Sequence, residues 1–346
     1  MSRSKIDRPP VGPIEPPAIP PPQLLPGQFA IQTFLKETFL TAVAGGGRIA
    51  DAIHTDATQV GAWEKFNLWA YSGRDTTPEN PEGFTQYAVQ TQSGNYITAM
   101  EGGGRTDDVL HTDATQALAW EKFGLIPQSP SFSLYPPNYQ LTHDSPWYYA
   151  IPTKTGNYLT ALGGGGDTDP SVHSDATKIA SWELFRLIKC GELMSGYQYA
   201  IRPIEGFTLT ANNGGGLTRN GLFLSTLDDI DRRPWTKLTL LEQDDGSYAM
   251  QTVSGNYVTA VGGGGIPPFD ENGTESDVFH TDAVRIQAWE KFRILDQGDG
   301  TYVIQTTVSR EFIGAIDDTG ELYLRTDIQT IEGAARFRLS PLLSEN

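Results

Sequence analysis

A single cysteine, Cys190, in 346 residues leaves no partner for an intrachain disulfide, so whatever holds this chain together is non-covalent. That usage suits a reducing compartment. No apolar run approaches the roughly 20 residues that span a bilayer, and Lys5 and Arg8 are followed by no 7–15-residue apolar stretch of the secretory type. A cytoplasmic location is favoured, with non-standard secretion left open. Positive charge is also scarce: 25 Lys and Arg against 42 Asp and Glu give a formal charge of −17. Such a surface repels phosphate backbones and anionic lipid, so neither nucleic acid nor membrane insertion is expected.

Equally absent are the short strings that carry defined chemistries. The chain has no G-x-x-x-x-G-K-[ST] phosphate loop, G-x-S-x-G elbow, H-E-x-x-H helix or C-x-x-C pair. No cofactor, metal site or catalytic residue is expected, and a non-enzyme is the reading adopted. The paired carboxylates Asp107-Asp108, Asp228-Asp229 and Asp317-Asp318 are adjacent in sequence. Neighbours diverge on a strand or share a solvated turn, which is poor geometry for a glycosidase pair, although a glycoside hydrolase is the least favoured alternative.

What the chain does have is glycine, aromatics and repetition. Prolines dominate residues 9–26, giving an extended, donor-poor tail over 1–27. Beyond it, HTDATQVGAWEKF from His54 returns as HTDATQALAWEKF from His111, HSDATKIASWELF from His173 and HTDAVRIQAWEKF from His280. Each string closes a longer unit opened by an aromatic segment and a glycine turn, such as NYLTALGGGG over residues 157–166. Two weaker copies complete six units at 28–69, 86–125, 148–189, 198–241, 247–296 and 301–341.

Short aromatic or alternating segments between glycine turns predict strands. In unit three, Tyr158, Thr160 and Leu162 should face one way and Leu159 and Ala161 the other, with Gly163–Gly166 reversing the chain through positive φ. Units of about four strands leave two architectures, a pair of three-unit β-trefoils or one six-bladed propeller. The interval 125–147 interrupts a uniform ring only weakly, and it falls away from the trefoil boundary.

GNYLTALGGGG followed by SWELF resembles the fascin-like β-trefoil unit, over nearly all of 28–341 and most sharply in units two, three and five. The resemblance implies an all-β chain of two tandem trefoils, a first at 28–190 and a second at 198–341, with a short tail at 342–346. Fascin resembles a chain of four such domains and bundles actin, so the resemblance also implies an actin or other filament as a partner. Fold alone does not transmit that activity, and the acidic surface offers an acidic filament no broad basic patch.

The repeated positions read as framework. His54, His111, His173 and His280 each precede Trp63, Trp120, Trp182 and Trp289 by nine residues. Each histidine is expected at a strand start or tight turn, bonded to a backbone carbonyl and to the aspartate two residues on. Those tryptophans, with Trp235 of unit four and with Phe66 and its equivalents, are expected to fill the core. Glu64, Glu121, Glu183 and Glu290 follow the tryptophans and are expected on the opposite, solvated face. Unit four should carry Thr226 and unit six Arg325 at the histidine position, with Ala334 in the place of tryptophan.

Variable loops on such a frame are where binding residues belong. Carboxylates and amides beside a ring can pair with sugar hydroxyls while the ring covers an apolar sugar face. The candidate ligand-binding residues are Asp107, Asp108, Asp167, Asp169, Asp270, Glu271 and Asn272, with Phe269 as the platform in the inserted loop IPPFDENGTESDVF. Lectin-like recognition of a carbohydrate or a protein surface is therefore the expected function.

Overall fold

The computed structural model describes residues 20–75, 84–130, 141–142, 148–204, 206–225, 234–318 and 321–343. Among them the chain is all β, its strands joined by three-residue 3-10 turns. Unit three shows how the repeat works. Tyr158–Ala161 pairs antiparallel with Val172–Ala176, and both faces of the first strand are covered. Leu159 and Ala161 enter the central core while Tyr158 packs with Ile126 and Ala150 in a second cluster, so the expected alternation sorts residues between two packed layers.

The glycine run then turns the chain. Gly163 to Gly166 have φ of 58°, 82°, 102° and 82°, all in the left-handed region where a Cβ is strained. At Gly165 the requirement is also one of space, since a Cβ would meet the hydroxyls of Thr33 and Thr38 at 2.6 and 2.7 Å. Thr33 belongs to unit one, so the turn of unit three is docked on the unit farthest from it in the first half.

That contact belongs to a closed ring. Gly47 N donates to Thr112 O at 2.7 Å, Gly104 N to Ser174 O at 2.7 Å, and Gly166 N to Thr55 O at 2.9 Å. Unit one thus holds unit two, two holds three, and three holds one. In the second half Gly216 N donates to Thr281 O at 2.7 Å and Gly265 N to Thr326 O at 2.9 Å, linking four to five and five to six. Unit six reads AIDD where the others have glycines, and it makes no returning bond of this kind among the described residues.

Strand pairing closes in the same groups. Leu184–Cys190 pairs with Gln28–Thr33, and Phe337–Pro341 with Gln198–Pro203, so the last strand of each half seals its first. Among the described residues, strands between Gln23 and Cys190 pair only with one another, as do those between Gln198 and Pro341. A six-bladed ring is ruled out; the chain is two tandem β-trefoils of three repeats each.

The halves share their apolar interior. Phe29, Phe66, Phe123 and Phe185 of the first and Tyr199, Phe292, Tyr302 and Phe337 of the second lie in one continuous cluster that also takes in Leu193 and Met194. Polar ties cross the seam as well. Tyr149 Oη donates to Pro341 O at 3.1 Å and accepts from Leu343 N at 2.8 Å, and Tyr302 Oη donates to Gly191 O at 2.8 Å. Burial pushes the pKa of both hydroxyls far up, which keeps them protonated and donating. The described end of the expected tail is also structural: Gln23–Leu24 pairs with Trp69–Ala70 and Leu25 is buried. The rest of the proline-rich stretch, 1–19, lies outside the described residues.

The W-E pair reverses the expectation. Trp63, Trp120, Trp182 and Trp289 are 43–49 % exposed, whereas Glu64, Glu121, Glu183 and Glu290 are only 6–8 % exposed. The pair sits in a tight turn, as at Ser181–Glu183 and Ala288–Glu290, rather than on a strand. There the carboxylate folds inward as a cap. Glu183 Oε2 accepts from Ala180 N and Oε1 from the Thr160 hydroxyl, each at 2.8 Å, and the other three repeat this bonding at 2.7–2.9 Å. A turn amide and a buried threonine hydroxyl need a partner, and the glutamate supplies both acceptors; the indole is displaced outward. Its Cδ1 edge lies against the middle glycine of the turn, as Trp120 does on Gly102 and Trp289 on Gly263. Trp235 of unit four is half-buried against Gly214. The core expectation holds for the phenylalanines and fails for the tryptophans.

Candidate binding site

Where the three loops after the glycine turns of the first trefoil meet, they enclose a depression of about 280 Å³. Its lining comes in equivalent triplets: Asp51, Asp108 and Pro170 stand three residues before the three histidines, with Ile53, Leu110 and Val172 forming an apolar floor. Asp107, Asp169, Thr106 and Thr168 complete a polar rim, and exposed Ile49 and Pro170 add apolar surface to it. Three of the sequence candidates, Asp107, Asp108 and Asp169, therefore come together.

Two kinds of carboxylate meet here. Asp51 Oδ1 lies 2.6 Å from His54 Nε2, and Asp108 Oδ1 lies 2.7 Å from His111 Nε2. Those hydrogen bonds, helped by Arg48 and Arg105, hold both carboxyls below the usual carboxylate range, and both residues sit in left-handed backbone at φ 49°. Asp107 and Asp169 are exposed, and their carboxylates make no hydrogen bond or ion pair among the described residues. The histidines thus orient one set of acceptors while the other set faces solvent. An acceptor-rich, anionic rim above an apolar floor suits hydroxyl donors or a cation, and it disfavours phosphate.

The histidine partner was expected two residues on and is found three residues back. The contacts of His54, His111 and His173 Nδ1 to Asp56, Asp113 and Asp175 are 3.8–4.0 Å, too long for a hydrogen bond. His280 follows the rule with Asp277 at 2.8 Å, while His173 faces Pro170 at that offset. Asp51 was missed in the sequence; the signal was the D-x-x-H spacing in DAIH, DVLH and DVFH. Thr55, Thr112 and Ser174 were missed too. All are fully buried, and their hydroxyls and carbonyls receive the turn of the preceding unit. A hydroxyl residue following histidine in every copy was the readable sign.

Asp167 is not part of the depression. Its backbone N–H donates to the Thr55 hydroxyl at 3.2 Å and its carbonyl accepts from Thr55 N at 2.9 Å, which makes it a ring-closing residue. The remaining candidates belong to the other half. Phe269 stacks on Tyr323 with centroids 4.9 Å apart, and Asp270 Oδ1 accepts from Asn272 N and Thr274 N at 2.8 and 2.9 Å. Asp270 is thereby committed to its own turn, while Glu271 and Asn272 are exposed.

The equivalent end of the second trefoil is nearly filled, its cavity about 30 Å³ and lined by Asn220, Phe223, Glu275, Leu322 and Tyr323. Strand register puts Phe223 opposite Thr210, where the other units place histidine opposite threonine, so Phe223 and not Thr226 occupies the histidine position. Thr226 itself, like Asp228-Asp229, lies outside the described residues. Arg325 stands opposite Gly314 and does take the histidine place, paired with Asp327.

No family model matches the chain, and no curated protein sequence matches it. Among solved structures, a designed three-fold symmetric protein, ThreeFoil, is 13% identical with a TM-score of 0.34, covering 41% of this chain and 97% of its own. The cytolethal distending toxin of Haemophilus ducreyi is 14% identical with a TM-score of 0.33, covering 45% of this chain and 92% of its own. A mosquitocidal holotoxin is 12% identical with a TM-score of 0.33 over 92% of this chain, which spans 34% of the toxin. Scores at this level carry no inference about fold or function; the trefoil assignment rests on the strand pairing that closes each half on itself.

Proposed function

We propose that the chain is a non-catalytic binding protein whose first trefoil recognises a carbohydrate through the depression at its end. The observation that carries this reading is the convergence of Asp51, Asp107, Asp108 and Asp169 from three repeats around one concave site. A sugar offers many hydroxyl donors, and fixed carboxylates are acceptors only. Ile49 and Pro170 on the rim can cover the apolar C–H face of a ring. The test is a glycan array probed with the full chain and with the Asp107→Asn, Asp169→Asn double variant. We expect saturable binding to a related group of glycans, weakened about tenfold or more in the variant at unchanged melting temperature. Binding unaffected by the two substitutions would remove the depression from the reading.

One observation favours a second reading. The outward indoles of Trp63, Trp120, Trp182 and Trp289 repeat on both trefoils, and tryptophan is enriched in protein interfaces. Together with the fascin-like pattern of GNYLTALGGGG and SWELF, this supports contact with actin or another filament. Co-sedimentation with actin filaments, lost on Trp120→Ala but kept on Asp107→Asn, Asp169→Asn, would favour it over the lectin-like reading.

A further inference from the structure

The two closing strands read FRLIK at 185–189 and FRLSP at 337–341, and the strands they seal read QFAIQT at 28–33 and QYAIRP at 198–203. Register makes the halves equivalent position by position: Arg186 lies opposite Gln32, and Arg338 lies opposite Arg202. In the first half the guanidinium is satisfied by hydrogen bonds to neutral acceptors. Arg186 Nη1 donates to Gln32 Oε1 at 3.2 Å, and Nη2 donates to the hydroxyl of Tyr148. The second half has exchanged that acceptor for another cation. Like charges directly opposed across a strand pair repel, and burial strengthens the repulsion.

The seam between the trefoils brings all three guanidiniums together. Arg186, Arg202 and Arg338 line one cavity of about 10 Å³ with Glu37 and Ser340. Glu37 Oε1 is 3.7 Å from Arg186 Nη1 and 3.5 Å from Arg202 Nη1, so a single half-exposed carboxylate serves both. Arg202 Nη2 donates to Gly206 O at 3.0 Å, but its Nε is buried with no hydrogen-bond partner among the described residues. Arg338 lies over the Phe39 ring at 5.2 Å and makes no hydrogen bond or close ion pair among the described residues, with Glu37 and, more weakly, Asp299 attracting it from longer range. Burial and the neighbouring Arg186 push Arg202 down to about 10. Among the described residues, three guanidiniums against one carboxylate in the lining are a local surplus that water in the cavity would solvate without neutralising.

We propose that the seam between the trefoils binds a small monovalent anion of halide size, held by Arg186, Arg202 and Arg338. At about 10 Å³ the cavity is the size of a single water, so a halide enters by displacing the half-exposed Glu37 carboxylate from between Arg186 and Arg202. Bound there, the anion supplies the acceptor that Arg202 Nε lacks and separates the opposed guanidiniums, tying the sealed edge of the second trefoil to that of the first.

Bromide is the probe. Crystals of the full chain soaked in sodium bromide should show an anomalous peak in contact with the guanidiniums. The melting temperature, measured at constant ionic strength, should rise as gluconate is replaced by chloride. Arg202→Gln restores the residue used in the first half and should abolish the chloride response without lowering the melting temperature in gluconate. Glu37→Gln removes the competing carboxylate and should tighten chloride binding roughly tenfold. Absence of the bromide peak at these arginines overturns the proposal, as does a chloride response that Arg202→Gln retains.

Discussion

The two trefoils are built on one frame and end differently. In the first, loops that follow the glycine turns leave a depression of about 280 Å³ ringed by aspartates; in the second, the same position has shrunk to about 30 Å³. The change traces to few positions. Histidine gives way to Phe223 in unit four and Arg325 in unit six, and Asp51 and Asp108 correspond to Asn220 and Leu322. Tyr323, stacked on Phe269, closes over the rest. The frame tolerates both outcomes because each half is closed by its last strand pairing with its first, outside the loops that differ. Openness is a property of the loop residues, and stability is a property of the ring.

The largest effect should come from the frame, equally in both halves. Phe185→Ala and Phe337→Ala each remove a fully buried ring at equivalent positions, and each should cost about 3–5 kcal/mol in chemical denaturation. Trp182→Ala, only three residues from Phe185, should cost about 1 kcal/mol or less, because nearly half of the indole already faces solvent. A large loss at Trp182 would mean that the indole belongs to the core after all.

Next in size is the buried glutamate. Glu183→Ala leaves the Ala180 amide and the Thr160 hydroxyl without their acceptor and should cost about 2–3 kcal/mol. Unit four sharpens the comparison, since Thr236 follows Trp235 there and the equivalent Thr210 hydroxyl bonds Ser225 Oγ at 2.6 Å instead. Restoring glutamate by Thr236→Glu should therefore fail to stabilise, because its acceptors would find a donor already committed. Denaturation midpoints of the two variants decide both points.

These contrasts also mark what was legible in the chain. Repeat number and strand content followed from glycine turns and alternating segments, which are local and directional; the grouping into two trefoils followed only from the resemblance carried by GNYLTALGGGG and SWELF, since the pattern alone also allowed a propeller. The inversion of W-E was not legible, because a strand and a tight turn share the same dipeptide, and only the unmet donors of Ala180 and Thr160 decide which side chain goes in. At the site, Asp107, Asp108 and Asp169 were readable as loop carboxylates. Their meeting with Asp51 depends on the three-fold closure, which no single repeat encodes. Phe269 was readable as exposed-loop aromatic, but its partner Tyr323 is 54 positions away in another repeat.

The smallest expected effect tests the histidine brace that only the open end has in duplicate. Asp51 and Asp108 are held below the usual 3.8 by hydrogen bonds to His54 and His111, while Asn220 and Leu322 at the closed end cannot titrate. For a carboxyl whose folded pKa is depressed, the unfolded chain binds more protons as the solution is acidified, so the stabilisation is complete above 3.8 and disappears as pH falls through the lower folded value. Both groups are solvent-exposed, so the change in melting temperature should be slight, and the sharper readout is the carboxyl carbon shift in an NMR titration. Asp51 and Asp108 should titrate below the usual carboxylate range. His111→Gln should return Asp108 toward 3.8 and leave Asp51 where it was, since each brace is confined to its own repeat. If Asp51 moves as well, the two loops are coupled across the depression, and the open end behaves as one charged cluster rather than as separate copies of a repeated turn.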